Sequence, residues 1–132
     1  MRRLALGALA AALAVLLAPH ALGQEQRVVE VVELEGVIDP TTSEYLLEQI
    51  DDAAEAGSEA VIVQLDTPGG LAVAMEEMVQ AILDSDVPIV VWVGPPGAQA
   101  ASAGVFLVYA SDVAAMAGAT SIGAAHPVDL SG

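Results

Sequence analysis

The sequence predicts an α/β fold in which repeated β-α units lay a parallel sheet under covering helices. Short apolar, β-branched runs recur at Ala60–Leu65 and Ile89–Val93, after a valine-rich opening at Arg27–Leu34. The segments between them carry apolar residues at helical spacing. Connections are short, which favours neighbouring parallel strands with a helix in each crossover.

Arg27–Leu34 alternates weakly and reads as the first strand, turned out by Glu35–Pro40. Pro40 suits the first turn of a helix, and Thr41 with Glu44 fits a capping box. Leu46, Ile50, Ala53 and Ala54 then form the apolar stripe, with Glu44, Glu48, Asp51, Asp52 and Glu55 on the other faces and Gly57 as terminator. Ala60–Leu65 is a buried parallel strand ending at Asp66, whose carboxylate is expected to accept backbone N–H groups of the next turn. Thr67-Pro68-Gly69-Gly70 breaks it. A second helix places Met75, Met78, Val79, Ile82 and Leu83 toward the core, and Asp84-Ser85-Asp86 ends it. Pro88 introduces the strand Ile89–Val93. A small-residue stretch and the Ser102 helix follow, then a short strand at Asp112–Met116 and a small-residue loop at Gly118–Val128.

Met1–Gly23 reads as a secretory signal. Arg2 and Arg3 supply the positive start, Leu4–Ala18 the apolar run, and Ala21-Leu22-Gly23 a small-x-small cleavage site. An uncleaved anchor is the alternative, although the run is short for a membrane span. Cysteine is absent, so disulfides and thiolate chemistry are excluded. Beyond the signal, Arg27 is the only strong base against 18 acidic residues. That balance argues against nucleic acid and anionic headgroups as direct partners. One histidine outside the signal and no cysteine leave no metal-ligand cluster, and Gly94-Pro95-Pro96-Gly97 lacks a dinucleotide fingerprint; no cofactor is expected.

Chemistry converges on Gly94–Val108. A β-branched strand ends in glycines and prolines, small residues follow, and an apolar helix begins, placing Ser102 near its first turn. Unpaired N–H groups and the positive dipole end steady developing negative charge there. A serine so placed is a candidate nucleophile that needs a base and an oxyanion hole. Gly69-Gly70 also follows a strand end, so both reach the same sheet edge, where ligands of parallel sheets gather. The competing structural reading makes Gly69-Gly70 a plain turn and Ser102 a packing residue.

Asp66-Thr67-Pro68-Gly69-Gly70, Ala100-Ala101-Ser102-Ala103-Gly104 and Ser121-Ile122-Gly123-Ala124-Ala125-His126-Pro127, in this order and spacing, resemble the NfeD family of membrane-associated serine proteases. That family belongs to the ClpP/crotonase superfamily, alongside signal peptide peptidase A. The resemblance makes residues 24–132 a ClpP-like serine protease domain, incomplete at its C-terminal end. It implies that Ser102 attacks a peptide carbonyl while the amides of Gly69 or Gly70, with that of Ala103, hold the oxyanion. It also implies a lysine base. The chain has no lysine, so that base is expected past Gly132. His126, beside a proline as the ClpP histidine is, stands as an alternative base, with Asp129 or Asp112 to orient it.

By the same resemblance the full protein is extracytoplasmic and continues into membrane spans and often a small β-barrel domain. It would cleave apolar segments of membrane proteins, with stomatin-like partners, and would self-associate. Two other functions share the fold: a non-catalytic scaffold for a stomatin-like partner, and a crotonase-type acyl-CoA enzyme that would not need Ser102.

Overall fold

The computed structural model describes residues 27–126, so the expected signal at 1–23 and the candidate Asp129 lie outside the described residues. The elements run β1 (Val29–Glu35), α1 (Pro40–Ala56), β2 (Ala60–Asp66), α2 (Ala72–Asp84), β3 (Ile89–Val93), β4 (Gln99–Ala101), α3 (Ala103–Ala110), β5 (Val113–Met116) and β6 (Ser121–Gly123). The main sheet has the order β1-β2-β3-β5, parallel throughout. This is the fold class expected from the sequence. None of the described helices is long and apolar enough to cross a membrane.

Alternate residues of the two central strands, Val61, Val63 and Leu65 with Ile89, Val91 and Val93, are fully buried. They meet Leu46, Ile50 and Ala53 of α1, Ala74, Met78 and Ile82 of α2, and Leu107 of α3 in one core. Removing each such large apolar side chain from water contributes about 1.5–3 kcal/mol. The opposite sheet face, with Ile62, Gln64, Val90 and Trp92, is half-buried.

Helix α1 begins two positions earlier than the Thr41–Glu44 box implies. Asp39 is the N-cap: its Oδ1 accepts from Thr42 N–H at 2.9 Å, and Thr42 Oγ1 accepts from Asp39 N–H at 2.9 Å. Pro40 decides the register. It lacks an N–H, suits the first helical position, and disfavours helical dihedrals in the residue before it. Gly57 ends α1 with φ 70°, as expected for a left-handed cap. Ala54 lies outside the buried stripe, and on α2 the core line is Ala74, Met78 and Ile82, leaving Leu83 61% exposed. Residues four apart stack on one face, and Leu83 sits about 100° around from Ile82.

Two short strands went unread in the sequence. β4 and β6 pair in parallel, Gln99 with Ser121 and Ala101 with Gly123, inside stretches expected to be irregular. Neither has the length or β-branched character that marks a strand. Their main-chain partners come from elsewhere in the fold: Thr67 bridges to Ala100, which hangs this pair from the carboxyl end of β2.

Candidate active site

Ser102 occupies the bend between β4 and α3, as the N-cap of that helix, with φ 50° and ψ −114°. Positive φ on a residue with a side chain costs roughly 1–3 kcal/mol and persists only where the surroundings dictate it. Here they do. Ser102 N–H donates to Gly123 O at 2.8 Å, and Val105 N–H donates to Ser102 O at 3.1 Å. The bend carries the hydroxyl clear of the main chain, as strand–turn–helix junctions do for nucleophilic serines. The Ser102 hydroxyl makes no hydrogen bond among the described residues.

The β2–α2 junction faces this serine at close range. A Cβ placed on Gly69 would lie 2.7 Å from Ser102 Cβ and 3.3 Å from its Oγ, so the junction approaches because position 69 has no side chain. Gly69 has φ 108°, which glycine alone adopts without strain. On the far edge, Ile38 N–H donates to Gly69 O at 2.9 Å and Leu71 N–H donates to Ile38 O at 2.8 Å. In such a parallel bridge the residue between the two partners turns its own N–H to the other edge. Gly70 N–H therefore points away from Ile38, and neither it nor Ala103 N–H has a hydrogen-bond partner among the described residues. Gly69 N–H, by contrast, is spent on Thr67 Oγ1 at 3.0 Å.

Gly70, Leu71, Met75, Glu76, Ser102, Ala103, Phe106 and His126 line one cavity of about 380 Å³. Its walls are mostly apolar, with a hydroxyl, an imidazole and a carboxylate at the edge. The structure thus brings five residues singled out from the sequence, Gly69, Gly70, Ser102, Ala103 and His126, to one place. Met75 and Phe106 were legible only as core or helix residues, and Glu76 only as a solvated one.

The expected roles of two aspartates need correction. Asp66 Oδ1 accepts from Gln99 N–H at 2.9 Å, a partner 33 positions away rather than one in the following turn. Asp112 Oδ2 accepts from Ile89 N–H at 2.8 Å, at the amino end of β3. The cavity lies at the carboxyl ends of the strands, so Asp112 stands at the wrong edge of the sheet to orient His126. A larger groove of about 620 Å³ between α1 and α2 is lined by Glu44, Glu48, Asp51, Asp52 and Glu77. The hydroxyl buried beside it, that of Ser43, already donates to Glu77 Oε2 at 3.0 Å, so it presents no free nucleophile.

Comparisons with known proteins bear on the fold and the family. The profile of a family described as NfeD1b, N-terminal domain matches residues 28–132. The membrane-bound protease PH1510 of Pyrococcus horikoshii is 43% identical over 103 residues, covering 78% of this chain and 23% of that protein. The membrane protein NfeD1b of Bacillus subtilis is 30% identical over 108 residues, 82% of this chain and 24% of the relative.

Among solved structures, the 1510-N membrane-bound stomatin-specific protease superposes with a TM-score of 0.77 as a lysine-to-alanine mutant in complex with a substrate peptide. That match has 42% identity and covers 79% of this chain and 48% of the other. A serine-to-alanine mutant of 1510-N gives 0.76 at 40% identity, over 80% of this chain and 53% of the other. ClpP1 from Listeria monocytogenes, 21% identical with a TM-score of 0.54 over 62% of this chain and 46% of its own, shares the fold. The chain spans about a quarter of the curated relatives' length and about half of the solved protease chains. The match along residues 28–132 and the ClpP-like architecture together assign it: the chain belongs to the NfeD1b N-terminal domain family.

Proposed function

We propose that this chain carries the nucleophile and oxyanion donors of a membrane-associated serine endopeptidase that cleaves apolar segments of membrane proteins. One observation carries the reading. Ser102 is held at positive φ at the start of a helix, and it lines a largely apolar cavity together with Gly70 and Ala103, whose N–H groups have no partner among the described residues. Ser102 Oγ attacks the peptide carbonyl carbon, and the carbonyl oxygen takes the negative charge between Gly70 N–H and Ala103 N–H. The base receives the hydroxyl proton and returns it to the leaving amine.

That base is a lysine beyond Gly132. A neutral lysine suits the role where burial lowers its pKa. His126 is the alternative among the described residues, since it lines the same cavity. Leu71, Met75 and Phe106 favour an apolar substrate side chain, and a stomatin-like protein is the proposed substrate because the 1510-N relative is stomatin-specific. The signal at 1–23 would deliver the protein to the extracytoplasmic side, anchored there through its C-terminal part and self-associated.

The test is cleavage of an apolar fluorogenic peptide by the full-length protein, with labelling by a fluorophosphonate. Ser102→Ala is expected to abolish labelling and reduce kcat by a factor on the order of 10⁴ or more, with stability within about 0.5 kcal/mol of wild type. Unlabelled Ser102 in a folded full-length protein that still binds a stomatin-like partner would instead establish the scaffold reading.

A further inference from the structure

We infer that Thr67 is a positioning residue that decides which glycine amide is offered to the oxyanion, and clasps that amide to the serine bend. The inference rests on the serine-protease reading of the site. Thr67 is fully buried at the carboxyl end of β2, and each part of it is engaged. Its main chain spans to the serine side: Thr67 N–H donates to Gln99 O at 2.7 Å, and Ala101 N–H donates to Thr67 O at 3.0 Å. Ala101 directly precedes Ser102, so these two bonds set how far the β2 end stands from the nucleophile.

The hydroxyl acts on the glycines. Thr67 Oγ1 accepts from Gly69 N–H at 3.0 Å, closing a turn around Pro68. With Gly69 N–H spent and Gly69 O tied to Ile38, the peptide planes on both sides of Gly69 are held. Gly70 N–H is left on the cavity side without a partner among the described residues. Without the hydroxyl, Gly69 N–H would be a buried donor lacking an acceptor, and glycine's wide dihedral range would let these peptides turn toward a new partner. The methyl group sets the third contact. A Cβ on Gly104 would lie 2.5 Å from Thr67 Cγ2, so the first turn of α3 packs directly on this side chain. One residue thereby touches Gly69 through its hydroxyl and Gly104 through its methyl, each the chain neighbour of one donor of the oxyanion site.

The two functions separate by substitution. Thr67→Val keeps the branched shape and removes the hydroxyl; Thr67→Ser does the reverse. In the full-length protein, Thr67→Val is expected to lower kcat for an apolar fluorogenic peptide by about 10²-fold with KM within about twofold, and to weaken an apolar peptidyl boronate in parallel. Thr67→Ser is expected to recover most of that loss. A Thr67→Val protein with wild-type kcat, or one whose loss merely tracks its folded fraction, overturns the inference.

Amide hydrogen exchange supplies a readout independent of turnover. Wild type is expected to protect Gly69 N–H and leave Gly70 N–H fast, with Gly69 protection lost in Thr67→Val and kept in Thr67→Ser. Fast exchange at Gly69 in wild type overturns the inference whatever the activity. Full cleavage by Ser102→Ala would sink the protease reading instead, while leaving the exchange pattern as it stands.

Discussion

The two walls of the Ser102 cavity are built by different means. The Thr67–Leu71 wall is laced on both edges by main-chain hydrogen bonds, to Ile38 on one side and to Gln99 and Ala101 on the other. Thr67 and Gly69 within it are buried. The Gly123–His126 wall is attached at the end of β6, through Ser102 N–H to Gly123 O, and its imidazole is exposed. The contrast separates two sorts of precision. On the first wall the backbone itself is the functional group, so atoms are placed by the sheet. On the second, a side chain is offered, and no hydrogen bond among the described residues holds it.

If the first wall is as closely held as its bonding implies, Gly70→Ala is the most disruptive single change. The new methyl would drive into the Ile38 carbonyl, which is itself bonded to Leu71 N–H. A loss of roughly 3 kcal/mol or more is expected in urea unfolding, at the upper end for overpacked sites. Unaltered stability would mean that the junction is loose and the contrast between walls is false.

Gly104→Ala sharpens the comparison with a smaller effect. Its methyl would meet Thr67 Cγ2 at 2.5 Å, a side-chain rather than backbone obstacle, and about 1–3 kcal/mol should be lost. Pairing it with Thr67→Ser should recover part of that loss, because the two sites share one contact. Simple additivity in the double mutant would show that the clash is relieved elsewhere.

The smallest expected effect is on the second wall. His126→Ala should change stability by less than about 0.5 kcal/mol, as for an exposed residue without hydrogen-bond partners among the described residues. With a lysine as base, cleavage by the same variant should fall less than about tenfold. A loss matching that of Ser102→Ala would transfer the base to His126.

Much of this architecture is written in local patterns. Ile89–Val93 is a strand because five apolar, mostly β-branched residues sit between Pro88 and Gly94, and the observed strand has those bounds. Gly57 closes α1 because a left-handed cap suits glycine. Gly69-Gly70 and Ser102 were visible as strand-end features, and the parallel β-α order implied that both lie at one sheet edge. Local signals failed where partners are remote. β4 and β6 have no pattern of their own and exist through ladders to each other and the Thr67–Ala100 bridge. The acceptors used by Gln99 and Ile89 are carboxylates 33 and 23 positions away.

The sequence by itself therefore determined the fold class, the order of the main strands and helices, and the meeting of Gly69-Gly70 and Ser102 at one sheet edge. Periodicity, proline and glycine act over a few positions, and those choices need no more. Tertiary structure alone decided which glycine N–H stays free, that Asp112 serves β3, and that Thr67 joins the two halves of the site. Each of those outcomes depends on which buried donor meets which acceptor, and that pairing is set only when distant strands come into register.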